Sequence, residues 1–194
     1  MKNYLLIVPV FLLLFSCRNT NQENVTDTKE RETPNLSVDE KAFLNNLVSL
    51  CGKSFAGKET YSKDGRDSWV NRSMVIHFTV CETDLVKIPF HIDDDQSRTW
   101  VFMNENGKLR FQHDHRHKDG SPEDLTLYGG YADGKGNAFR QSFPADDYTN
   151  RLINDNLDRV WNIILSEDFS FLKYELGYDG EIVFRAEFDL TTAL

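Results

Sequence analysis

The chain lacks the marks of a nucleic-acid binder, a helical membrane protein or a nucleotide enzyme. Its 22 Lys and Arg stand against 31 Asp and Glu, for a formal charge of −9, and they form no block. Phosphate backbones are held by clustered cations, so nucleic acid is not an expected partner. The apolar run from Tyr4 to Phe15 is about 12 residues, short of the roughly 20 that a spanning helix needs. There is no phosphate-cradling glycine loop, no nucleophile elbow and no internal repeat. Cysteine is reduced to three residues, Cys17, Cys51 and Cys81.

What is present first is an address. Lys2, the apolar run and Leu14-Phe15-Ser16-Cys17 resemble the leader and lipobox of a bacterial lipoprotein. The resemblance implies a signal peptide over 1–16, removed before Cys17, whose thiol takes a diacylglycerol and whose amine is acylated. The alternative is an ordinary secretory signal with a coincidental cysteine. Loss of Lys2 takes the charge from −9 to −10, so membrane attachment rests on lipid, and two or more buried chains make that stable. Arg18 is not the Asp that retains enteric lipoproteins in the inner membrane, which favours the outer membrane of the cell envelope. Assigning Cys17 to lipid leaves Cys51 and Cys81 as an even pair in a compartment that permits disulfides. A Cys51–Cys81 bridge stabilises by roughly 3 to 4 kcal/mol on the loop-entropy model, and two buried free thiols are the alternative.

Residues 17–36 are the lipidated cysteine and a polar, aperiodic tether without aromatics, and 37–194 are one domain. Ser37-Val38-Asp39-Glu40 is a capping box, and Phe43, Leu44, Leu47, Val48 and Cys51 follow at helical spacing, predicting a helix over 38–50. From Lys53 the rhythm changes to short aromatic and β-branched runs divided by turn signals. Candidate strands are 53–61, 73–81, 86–92, 98–105, 108–117, 124–131, 138–143, 159–166, 169–176 and 181–190, and a second short helix runs from 144 to about 157. Asn106-Gly107 and Asp179-Gly180 are the clearest hairpin turns. Ten strands are an even number, so the first and last can pair and close an antiparallel up-and-down barrel. A sandwich from the same strands is the runner-up.

Alternating strand direction puts Cys51 near Cys81 at one end of such a barrel, with the first helix beside them. The other end collects the loop 62–72 with Asp64, Arg66, Asp67 and Trp69, then Asp93-Asp94-Asp95, His113 to Gly120 and the Asp146-Asp147-Tyr148 helix start. Leu109, Phe111, His113, His115 and His117 share one face of a strand, the inner one. A two-residue turn at Asn106-Gly107 sets Phe111 across from Phe102, His113 from Trp100 and His115 from Arg98. The wall then grades from apolar to aromatic to cationic, which suits a small amphiphilic ligand with an anionic or hydroxylated head. His113, His115, Arg98 and Trp100 are therefore the expected ligand-binding residues, and no cofactor is required. The rival is a metal-dependent, cupin-like enzyme in which His113 and His115 hold zinc or iron, with His117 or Asp119 completing the set. Arg98 opposes a cation there, and His77 and His91 fall on the outward parity. A third reading makes the barrel a structural subunit of an envelope complex with the histidines merely buried. No catalytic residue is assigned.

Cys51-Gly52-Lys53 with Phe55 and Gly57, Ile88-Pro89-Phe90-His91, Ser97-Arg98-Thr99-Trp100, His113 to His117 with Asp119-Gly120, Tyr128-Gly129-Gly130, Phe143-Pro144-Ala145-Asp146, Tyr174-Glu175-Leu176 and Phe188-Asp189-Leu190 together resemble an uncharacterised family of bacterial secreted proteins and lipoproteins. That resemblance implies a location and no reaction. A looser resemblance to calycins and lipocalins implies the same barrel, although Gly52-Lys53-Ser54-Phe55 stands where lipocalins have Gly-x-Trp. Gly107, His113, His115 and Asp119 resemble a cupin spacing in which Asp replaces Glu and no second motif follows.

Overall fold

The computed structural model describes residues 34–65 and 68–194. Cys17, the leader 1–16, most of the tether and the loop residues Arg66 and Asp67 lie outside them.

The first helix, α1 (Val38–Val48), starts at the expected capping box. Ser37 Oγ accepts from the Glu40 amide at 3.3 Å, and Glu40 Oε2 accepts from the Ser37 amide at 3.0 Å. The helix stops two residues before the predicted end, and a turn reaches Gly52, whose φ of +76° is open to glycine.

Eleven strands follow: β1 (Ser54–Ser62), β2 (Met74–His77), β3 (Val80–Glu82), β4 (Leu85–Ile92), β5 (Asp95–Glu105), β6 (Lys108–His115), β7 (Tyr128–Tyr131), β8 (Arg140–Pro144), β9 (Arg159–Leu165), β10 (Phe171–Tyr178) and β11 (Glu181–Ala193). The short helix α2 (Asp147–Ile153) sits between β8 and β9. All pairings are antiparallel, in the order β7-β6-β5-β4-β2-β1-β11-β10-β9-β8, which makes a nearly closed barrel. The first and last strands do pair, through Gly57 with Phe188 and Ser62 with Phe184 among others.

The expected strand 73–81 is broken at Phe78–Thr79, so that β2 and β3 pair separately with the two halves of β4. The expected strand 124–131 shrinks to β7. α2 ends early because Asn154 and Asn156 take positive φ angles of 52° and 58°. Both predicted hairpin turns have the two positive φ angles that type I′ demands: 55° and 82° at Asn106-Gly107, 50° and 83° at Asp179-Gly180.

The ladder gap lies between β7 and β8 rather than at the chain ends. Main-chain bonds cross this seam from the Asp133 amide to Ser142 O and from the Asp146 amide to Gly129 O, both at 3.0 Å. The fully buried Thr149 of α2 adds a clasp, its hydroxyl donating to Gly129 O at 2.8 Å and accepting from the Gly129 amide at 2.7 Å. Arg110 reaches the Asp146 carboxylate at 2.9 Å.

The core fills the barrel. Along β4 every second residue is buried, and Phe102, Phe111, Phe143 and Phe188 are wholly inaccessible. α1 plugs the lower end with Phe43, Leu44 and Leu47, each stabilising by about 1.5–3 kcal/mol relative to exposure. The Cys51–Cys81 disulfide, with Cα atoms 5.9 Å apart, fastens the chain after α1 to β3. Leu36 is buried in the core and Pro34 lies against Gly107, so residues 34–36, assigned to the tether by sequence, belong to the barrel instead. Among the described residues no helix is long and apolar enough to cross a membrane.

Candidate functional site

The end opposite α1 opens into a cavity of about 600 Å³. Its inner wall carries Trp100 and Arg98 from β5 and His113 and His115 from β6, the residues singled out by strand parity. The cross-strand pairs are those the Asn106-Gly107 turn requires: Phe102 with Phe111, Trp100 with His113, Arg98 with His115.

Aromatic rings form the floor. Trp100 stacks on Tyr174 of β10, with centroids 4.9 Å apart and planes within 5°. His113 stacks on Tyr128 of β7 at 4.5 Å and packs beside Trp161 of β9 at 5.2 Å. Its Nε2 lies 3.1 Å from the Tyr174 hydroxyl and its Nδ1 lies 3.3 Å from Tyr128 O. The carbonyl can only accept, so this network assigns the proton to Nδ1 and makes Nε2 the acceptor of the Tyr174 O–H. His115 continues the chain outward. Its Nε2 meets the Tyr128 hydroxyl at 3.2 Å, its Nδ1 lies 3.7 Å from Glu123, and its amide donates to Thr126 Oγ1 at 2.7 Å.

These histidines are neutral near pH 7, so the cationic end of the wall rests on arginine. Burial, and then the neighbouring His115, push His113 down to about 3. Burial and the Arg98 guanidinium lower His115, against the opposing pull of Glu123. Burial lifts the Tyr128 hydroxyl to about 12 and Tyr174 well above its ordinary value, so both remain phenols.

The positive charge at the rim comes from arginines. Arg98 bonds Asp95 and lies 5.9 Å from the Trp69 ring, and Arg159 of β9 bonds Asp155 and lies 4.9 Å from the Tyr178 ring. Burial alone would raise the Asp95 carboxyl, but hydrogen bonds from Arg98 and Ser97 outweigh it and hold it at about 2. Lys63, paired with Glu181, completes the rim.

Two residues proposed for a metal lie elsewhere. The His117 amide donates to Ser121 O at 2.9 Å, and Asp119 accepts from the Ser121 amide at 2.9 Å and its hydroxyl at 2.6 Å, so both belong to the exposed turn after β6. Among the described residues no three His, Cys, Asp or Glu side chains gather as a metal set. The Asp146-Asp147-Tyr148 helix start, expected at the mouth, instead faces the seam, and the other end of α2 supplies Ile153 to the cavity. Val183 lines the cavity beside Phe184, where the pairing of β10 with β11 shifts register between Leu176 and Gly177.

Arg159, Trp161, Tyr174 and Tyr128 escaped sequence reasoning. The inward parity of Trp161, Ile163 and Leu165 in β9, and of Leu172, Tyr174 and Leu176 in β10, was the available signal. Comparison with family models, curated proteins and solved structures finds no match for this chain.

Proposed function

We propose that the protein is an envelope-anchored lipoprotein, held by lipid on Cys17, whose barrel binds a small amphiphile with an aromatic or apolar body and an anionic head. The observation that carries this reading is the graded cavity: stacked rings at its floor, neutral His113 and His115 with two tyrosine hydroxyls midway, and Arg98 and Arg159 at its rim. Rings offer apolar surface at low entropic cost, and guanidinium groups take carboxylate or sulfonate by charge-assisted hydrogen bonds. The Tyr128 and Tyr174 hydroxyls stay protonated through burial and so offer hydrogen bonds to the polar part of such a ligand.

Anilinonaphthalene sulfonate tests it. The probe gains fluorescence saturably on the wild-type barrel, is displaced by laurate more strongly than by dodecanol, and loses affinity in Arg98→Gln. Absence of saturable binding, or equal displacement by the acid and the alcohol, overturns the reading. The anchor has its own test: labelled palmitate enters the wild-type chain in a bacterial host and is absent from Cys17→Ser.

A further inference from the structure

A second cluster of chemistry lies on the outer wall, away from the cavity. His77 at the end of β2 and His91 on β4 are diagonal neighbours, because Val75 pairs with His91 and Ile76 with Phe90. Their rings face each other with centroids 4.3 Å apart, and Nε2 of His77 lies 3.0 Å from Nδ1 of His91. On the far side of the first ring, Nδ1 of His77 meets Ser54 Oγ of β1 at 2.7 Å. The pair borders a shallow depression beside Cys51, Gly52 and Pro89.

We propose that His77 and His91 chelate a divalent transition-metal ion of the imidazole-preferring class, with Cu(II) and Zn(II) the leading members. An ion about 2.0–2.1 Å from both nitrogens, which stand 3.0 Å apart, is subtended at about 95°, close to the angles of square-planar and tetrahedral sites. Ser54 supplies the partner that a ligating imidazole needs on its other nitrogen. With the proton on Nδ1 of His77 donated to Ser54 Oγ, the Nε2 lone pair points at the ion. In the empty pair, the proton between the two rings then sits on Nδ1 of His91. The ion takes its place, and that proton moves to Nε2 of the same ring, so binding to the neutral pair releases no net proton. Among the described residues bordering the depression, Lys53 is the one cation. Among the described residues no third His, Cys, Asp or Glu joins the pair, so water or an exogenous ligand fills the remaining positions.

The test uses the untagged full-length chain, stripped of metal and titrated with Zn(II) and with Cu(II) by calorimetry, with imidazole nitrogen shifts followed by NMR. One ion per chain binds, the shifts move at His77 and His91 alone, and either His77→Ala or His91→Ala abolishes that binding. Ser54→Ala weakens it by roughly 10- to 100-fold. His113→Gln, in the cavity, leaves it unchanged, which separates this site from the proposed amphiphile pocket. No stoichiometric binding, or binding that survives His77→Ala, overturns the proposal and leaves an N–H···N hydrogen bond between the rings.

Discussion

Trp100 and Tyr174 lie face to face across the interior, 4.9 Å between centroids and 5° from parallel, tying β5 to β10, two strands that share no ladder. The Tyr174 hydroxyl is also the donor that satisfies His113 Nε2 at 3.1 Å, so one side chain holds both the floor and the polar tier above it.

Tyr174→Phe therefore keeps the stack and strands the imidazole nitrogen. An unsatisfied buried acceptor costs about 1–3 kcal/mol, to be read from urea unfolding midpoints. Trp100→Ala removes the stack itself and costs about 3–5 kcal/mol. Equal small losses in both variants would contradict this division of labour.

Stability falls with acid through His113. The folded imidazole protonates only near pH of about 3, against an ordinary value of 6.5. Between those values the unfolded chain carries a proton that the folded one rejects, so this contribution is intact above the ordinary value and is lost as pH falls below it. From pH 7 to about pH 5 the loss is on the order of 2 kcal/mol from this residue. Urea unfolding of wild type and His113→Gln at both pH values shows a steeper decline in wild type, and parallel declines refute the assignment.

The disulfide acts at the closed end. Reduction, or the double change Cys51→Ala with Cys81→Ala, lowers stability by roughly 3–4 kcal/mol through the freed loop. Binding of anilinonaphthalene sulfonate in the still-folded fraction stays unchanged, since the bridge and the cavity occupy opposite ends. Alkylation of the unreduced chain labels neither Cys51 nor Cys81.

Gly130→Ala opens the seam. A Cβ there would stand 1.8 Å from Pro144 O, so β7 and the segment entering α2 must separate. The cost sits at or above the upper end of the 1–3 kcal/mol typical of overpacking. Amide exchange accelerates at Asp133 and Asp146, whose N–H groups cross the seam. Unchanged protection at these amides would show that the seam tolerates the methyl.

The half of the site on β5 and β6 was legible because one local signal fixed it. Asn106-Gly107 allows a two-residue turn, the turn fixes the register, and the period of two then places Trp100 against His113 and Arg98 against His115. Arg159, Tyr174 and Tyr128 reach the same cavity from strands that no short turn links to β5, so their meeting depends on barrel curvature rather than on any neighbouring residue. Thr126 misled the strand assignment. It continues an alternating pattern on paper, yet its hydroxyl is spent on the His115 amide at 2.7 Å, and regular pairing begins only at Tyr128. His77 and His91 were placed outward correctly, but their mutual approach needs the diagonal offset between β2 and β4, which the break at Phe78–Thr79 obscures.

The pairing of β1 with β11, sealed by the Leu194 amide on Ser54 O at 2.9 Å, sets the timing of assembly. β1 is the first of the described strands to be made, and its outer edge waits through the synthesis of β2 to β10 for its partner β11. Contacts of such high sequence separation form slowly, so closure of the wall between β1 and β11 is a late step of folding.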